Sequence, residues 1–429
     1  METWLKISLL LCIFGAVKEF RPSEPFITPY LLGEWKNFTE EQVNQEIFPV
    51  GTYTYLAALV VVFLVTDLLR YKPVIIIDGL FAVATWSLLI WGKDVLAMQI
   101  LEIFYGFFMA AEVAYYTYIY AQVDREHYQK VTSHTRTAYL FGRAMSGIVS
   151  QILVSTGTMD YHQLNYISLT SVSFATIWAF FLPSVRHSIY FYRENNNQTG
   201  IPLTNSSDVK DTYSSSDAHY ENKIGFVTRW KNAHHYLWRD FKIAYTNLYV
   251  LKWSLWWALA TCGFLQCLNY IQLIWQSIMV SNNQNINREL YNGAVEALYT
   301  LIGAGASLGL GWLRLNWQVL GDATMAVCSI IEGLLIIYSA LTNSMMAAYI
   351  CYILFGVIYH TMITVANAEV AKHLSEDSYG LIFGINTFIA LALQSTLTLI
   401  VVSEAGLGLE IHPQVRGSYL MSFINIYLV

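Results

Sequence analysis

Charge is scarce in this chain. Only 13% of its 429 residues are Asp, Glu, Lys or Arg, about half the ~25% of a soluble globular domain. Hydrophobic residues make up 55%, mean hydropathy is +0.41, and long apolar runs recur along the whole length. An ordinary soluble domain is excluded, and a polytopic membrane protein is indicated. The formal net charge of −6 offers no basic surface, so nucleic acid is not an expected partner. Cysteine is sparse too. Cys12, Cys262, Cys267, Cys328 and Cys351 all lie in apolar runs without zinc-site spacing, and read as buried reduced thiols. His234 and His235 have no further ligands at matching spacing, so no metal and no cofactor is expected. No HExxH, GxSxG or P-loop pattern occurs, which argues against an enzyme. The apolar start, "ISLLLCIFGAV", runs into "KEFRPSEP" with no small-residue cleavage site. It reads as a first span rather than a removed signal peptide.

What is present is organised in two sets of six. A span needs about 20 apolar residues. Such runs fall near 5–31, 48–69, 73–92, 95–121, 133–157 and 162–182, then 248–279, 289–312, 319–341, 345–371, 378–403 and from about 413 to the end. The last run is still apolar at Val429, so a short or truncated twelfth helix is expected. Residues 183–247 interrupt the series with "YRENNNQTGIPLTNSSDVKDTYSSSDAHYENK", too polar to fold alone and expected as a flexible linker. Its end, "FVTRWKNAHHYLWRDFKIAY", mixes aromatic and basic residues as a helix on a membrane surface would. The expected fold class is therefore an all-α membrane protein with 12 transmembrane helices: a first half over 1–182, a linker over 183–247 and a second half over 248–429. That layout resembles the major facilitator architecture, in which substrate binds near the midplane between two rocking halves. The unit is expected to be a monomer.

Lys and Arg set the orientation. Arg70, Lys72, Arg125, Lys130, Arg186, Arg193, Lys210, Lys223, Arg229, Lys231, Arg239, Lys242, Arg314 and Lys372 fall on one side of this layout, which places both termini and the linker in the cytoplasm. The opposite side begins with the acidic loop "GEWKNFTEEQVNQE". The sequon at Asn37 is then external and usable, whereas those at Asn197 and Asn205 are internal. Asp67 and Arg70, in "TDLLRYKPV", sit at a cytoplasmic helix end where an ion pair can latch the halves.

An ionisable residue at the bilayer centre costs about 3 kcal/mol even on lenient scales, so it normally faces a cavity or a partner. The candidates are Glu24, Glu102, Glu112, Arg143, Glu296, Glu332, His360 and Glu369, and the excess of carboxylates suits a cation. In the fourth span Glu102, Tyr105, Glu112 and Tyr116 fall within one stripe of roughly 80°. Carboxylates interleaved with aromatic faces suit an aromatic organic cation, each face adding ~0.5–2 kcal/mol. Arg143 reads equally as a counter-ion to Glu102 or Glu112 or as part of an anion site. His360 is a candidate proton shuttle. Glu332 and Glu369 read as pairing or cavity groups. Pro22, Pro25 and Pro29 break the first span, and freed backbone is tolerated where it lines a cavity, which turns Glu24 inward. Asn269 with Gln272, and Asn292 with Glu296, are each about one turn apart.

The motifs "RPSEPFITPYLLG", "NQEIFPV", "DLLRYKPVI", "EIFYG", "AAEVAYYTYIY", "EHYQKVTS", "SLWWALATCGF", "LYNGAVEAL" and "LIFGINTFIALALQSTLTLIVV" occur in this order. Together they resemble the vitamin carriers that include the thiamine transporters and the reduced folate carrier, over about Leu10 to Leu409 and most weakly across 183–247. Glu112 stands where the folate carrier has Arg, so the chain looks like the thiamine branch. The resemblance implies that Glu102 and Tyr105 line a thiamine site, with Phe48, Asn269 and Glu296 contributing. The cavity argument adds Glu24 and Tyr116. Uptake of thiamine into the cell across the plasma membrane is the implied function, and the ionisable residues Glu102, Glu112, Glu296 and His360 offer a pathway that could couple it to a proton gradient. Folate or pyridoxine carriage is the alternative. The chain departs from the family pattern at Gly51, where a Trp would stack, at Arg143, at Glu369 and at Gly356, and its C-terminus is shorter.

Overall fold

The computed structural model describes residues 3–123, 127–185, 226–281, 290–312, 316–374 and 378–402. Among them the structure is helical with no strands. The first span is broken. α1 (Thr3–Lys18) is followed by an irregular stretch, a short 3₁₀ turn (Glu24–Phe26) and α2 (Ile27–Leu32). Pro22 has no N–H to donate, so the freed groups find other partners. Ser23 N and Oγ both meet Ser168 Oγ, at 3.1 and 2.9 Å, and Trp86 Nε1 donates to Ser23 Oγ at 3.0 Å.

After a π-helical turn (Gln42–Ile47) come α3 (Phe48–Leu68), α4 (Lys72–Trp91), α5 (Val95–Gln122), α6 (Tyr128–Ser155) and α7 (Tyr161–Ala179). Pro49 and Pro73 sit in the first turns of α3 and α4, where a missing N–H costs nothing. The reversal between α3 and α4 is tight enough to hold Arg70 and Tyr71 at φ 61° and 67°. The second series is α8 (Phe226–Thr246), α9 (Leu248–Ser281), α10 (Asn292–Trp312), α11 (Trp317–Leu341), α12 (Met345–Lys372) and α13 (Tyr379–Val401).

Helices α3 to α7 and α9 to α13 lie where spans were expected. Seven helices among the described residues are long and apolar enough to cross a membrane by length and composition. α1 is short at 16 residues, and α6, α7 and α10 are likewise not among the seven. The expected twelfth span and most of the linker, 186–225, lie outside the described residues. The linker's end is helical, as α8, with Tyr245 donating to Asn386 Oδ1 at 2.7 Å.

α3, α4 and α5 pack together, α4 packs on α7 and α1 on α6; α10, α11 and α12 form the matching group, with α9 on α12 and α13. The two groups meet along α6 with α10 and α3 with α13. Trp86, Trp253 and Trp256 are fully buried, while Val61, Leu80, Trp91, Phe181, Leu334 and Ile400 are exposed. A belt of outward apolar side chains on a bundle whose interior holds the polar ones is what a lipid solvent demands.

The bundle has two ends. One holds Asn37, exposed in a loop at φ 54°. Beside it the buried Lys36 ammonium reaches the carbonyls of Ile90 and Gly92. Burial, with the nearby Lys93 charge as a smaller cause, lowers the Lys36 ammonium to about 8. The other end holds Asp67, which accepts from Tyr71 Oη at 2.9 Å.

Candidate functional site

α5 runs unbroken from Val95 to Gln122, so its stripe is a real face, with Glu102 and Glu112 about 15 Å apart along the axis. The two carboxylates have different surroundings. α3 approaches Glu102 so closely that a Cβ on Gly51 would run into the carboxylate. Tyr105 and Tyr270 stand near Glu102. Phe48 meets Tyr270 edge-on, ring centroids 6.2 Å apart, and Asn269 Nδ2 donates to Thr52 Oγ1 at 3.3 Å. The Tyr53 hydroxyl is buried without a hydrogen-bond partner among the described residues. No ion pair reaches Glu102 among the described residues. The structure thus gathers Phe48, Glu102, Tyr105 and Asn269 from α3, α5 and α9 around one uncompensated carboxylate.

Glu112 lies deeper along α5, where Lys18, Glu19, Arg136 and Arg21 are its charged neighbours. Tyr116 sits with it, beside Arg136 and Tyr139. Glu24 is on the 3₁₀ turn with Arg21 Nη1 3.3 Å away, and Tyr105 lies within electrostatic reach of Glu24, Glu102, Arg21 and Arg143. The breaks in the first span therefore bring Glu24 to the Glu102 group.

Arg143 pairs with neither α5 carboxylate. Its Nη2 meets Glu296 Oε1 at 2.5 Å, and Tyr299 Oη donates to the same oxygen at 2.8 Å. The pair links α6 to α10. Gly147 and Gly293 continue the same line: a Cβ on Gly147 would fall 2.5 Å from the Gly293 carbonyl oxygen. Gln151 then donates to Leu290 O at 2.9 Å and accepts from Ala294 N at 3.1 Å. The broken first span joins this seam. Gln272 accepts from Thr28 N at 3.1 Å and donates to Glu24 O at 3.0 Å, and Asn292 donates to Pro25 O at 2.9 Å.

His360 stacks on Tyr299 with ring centroids 5.7 Å apart and planes 7° from parallel, and meets Phe264 edge-on at 5.4 Å. Glu369 is a pairing group: Tyr249 Oη donates to it at 2.8 Å and Lys372 Nζ lies 2.5 Å away.

Sequence reasoning passed over four buried charges. Lys18 Nζ contacts Asp78 Oδ2 at 2.8 Å, and Arg21 Nη2 contacts Glu19 Oε2 at 2.7 Å. Lys18 also lies 4.5 Å above the Phe108 ring and Arg21 5.2 Å from it. "KEFR" inside an expected span and the lone Asp in "VIIIDGLFAV" were the available signals.

Comparison with known proteins bears on this geometry. A family described as "Reduced folate carrier" matches residues 2–416. Thiamine transporter 1 of Mus musculus is 42% identical, with 100% of this chain and 89% of that protein covered. Folate transporter 1 of Caenorhabditis elegans is 40% identical, over 96% of this chain and 88% of that protein. In fold, the chain is similar to the nucleoside transporter NupG (D323A mutant), TM-score 0.62 at 12% identity over 98% of this chain and 99% of that one. It is also similar to a POT family transporter, TM-score 0.61 at 11% identity over 99% and 94%. The chain shares the fold of these transporters, and its family makes it a multi-pass membrane carrier rather than an enzyme.

Proposed function

The chain belongs to the reduced folate carrier family, and on that footing we propose that it takes up thiamine across the plasma membrane by alternating access. The observation that carries this reading is Glu102: a carboxylate near Phe48, Tyr105 and Tyr270 with no ion-pair partner among the described residues. A fixed-charge thiazolium supplies that missing charge, and an aminopyrimidine supplies a plane for the aromatic faces. Glu24 and Asn269 complete the recognition group. Glu112 and Tyr116 form a second station along α5, toward the Asp67 end. Arg143 is already tied to Glu296, so it offers no free guanidinium to a folate carboxylate. The identity to thiamine transporters over the full chain supports the same choice.

In this reading the two halves, 1–182 and 248–429, rock about the site. The α6–α10 seam closes the external side, and Asp67 and Arg70 latch the cytoplasmic one. A proton gradient drives uptake, with Glu112 and His360 as candidate coupling groups.

The test is uptake of labelled thiamine into cells carrying the protein, competed with excess folate, pyridoxine and unlabelled thiamine, for wild type and Glu102→Gln. A charge-assisted contact is worth about 1.5–3 kcal/mol, or roughly 10- to 150-fold in apparent affinity. Glu102→Gln is expected to lose that much, with folate failing to compete. Uptake of folate in place of thiamine would overturn the reading.

A further inference from the structure

Glu332 is the buried carboxylate that the proposed substrate route leaves unused. It is 5% exposed in the interior of α11 (Trp317–Leu341), and Oε1 has no hydrogen-bond partner among the described residues. No charged side chain acts on it among the described residues. The titratable groups that face it are Cys328 on its own helix and Tyr359 on α12. Tyr359 Oη is itself hydrogen-bonded to the Thr261 hydroxyl of α9 at 3.1 Å. None of these is a base. One turn further along α11, Leu335 and Ile336 line an apolar crevice with Cys267, Ile271 and Phe355. The other buried carboxylates differ. Asp78, Glu19, Glu296 and Glu369 have ion-pair partners, and Glu102 faces the recognition group.

An ionised carboxylate in such a place has neither water nor a counter-ion, and isolated charges in a low-dielectric interior neutralise instead. Tyr359 stands between this group and the interface of the halves: it lies within electrostatic reach of both Glu332 and Arg136 of α6, and its ring stacks on Phe264 with centroids 3.9 Å apart. We propose that Glu332 is a further proton-binding site of the carrier, beyond Glu112 and His360, holding a proton on its carboxyl in the arrangement seen here and releasing it when α11 and α12 open to water. In the step, the carboxyl O–H bond breaks, the proton passes to a water molecule as hydronium, and a carboxylate remains. Each transport cycle reloads it once. The inference deepens the proposed function and rests on it for the coupling, though not for the proton itself.

Two measurements on the purified full chain test it. Infrared spectra in D2O at neutral pH, without substrate, compare wild type with Glu332→Gln. A protonated-carboxyl band present in wild type and missing from the variant is expected; identical spectra overturn the proposal. In proteoliposomes with the membrane potential clamped at zero, one proton per cycle across one pH unit supports about tenfold accumulation of thiamine. Glu332→Gln is expected to equilibrate thiamine without accumulating it while still exchanging it, and Glu332→Asp to restore accumulation. Accumulation by Glu332→Gln equal to wild type overturns the coupling role, as does a wild type indifferent to the gradient. If wild type carries no thiamine at all, the proposed function fails, and the infrared comparison still decides whether Glu332 holds the proton.

Discussion

At the scale of single residues, Gly51 and Glu102 form one unit. The glycine leaves room for the carboxylate to lie against α3, so any side chain at 51 must push it aside. Gly51→Ala is expected to raise the KM for thiamine roughly tenfold, with little change in maximal rate, because it moves a binding group. Combining it with Glu102→Gln should cost less than the sum of the two, since the alanine then has no carboxylate to displace. Coupling of about 0.5–3 kcal/mol is usual for touching residues, and additive effects in uptake kinetics would show that the pair does not act together. The Glu102–Tyr105 spacing was readable from one helix. That Arg143 meets Glu296 was not, because 153 positions separate them and only the packing of α6 on α10 joins them. Lys18 with Asp78 hid in the same way, 60 positions apart.

At the scale of elements, the seam between α6 and α10 depends on small residues. Gly147 lets the α10 backbone come within contact, with Ser150 and Gln151 completing the line. Overpacking a close contact costs about 1–3 kcal/mol. Gly147→Leu is expected to lower the thermal unfolding midpoint in detergent by several degrees. Gly309→Leu, at a position where a Cβ would meet nothing within 4 Å, should leave it unchanged. Within the described residues, helix positions were legible from the long apolar runs, while the expected twelfth span lies outside those residues. The break in the first span was legible from its three prolines. Its charges escaped because the ends of that span were set by its apolar residues, and the partners that make Lys18, Glu19 and Arg21 tolerable come from α4 and from the break itself.

At the scale of the whole molecule, the proposed orientation makes a plain demand. Asn37 is exposed at one end of the bundle, and that end must face outward. Protein made in glycosylating cells is expected to shift on a gel after enzymatic deglycosylation. Asn37→Gln should abolish the shift even though Asn197 and Asn205 remain. A shift that survives Asn37→Gln would invert the assignment of sides.

The seam itself implies something about timing. Its contacts are an ion pair, two backbone-to-backbone approaches and a glutamine bridging two backbone groups, all short in range and aligned along α6 at positions 143, 147 and 151. Little in it can stretch. A displacement of a few ångströms removes every one of these contacts together, since packed interfaces switch between discrete arrangements instead of deforming continuously. Such a joint behaves like a snap fastener rather than a spring: it is shut or it is open, and half-parted states have almost no lifetime.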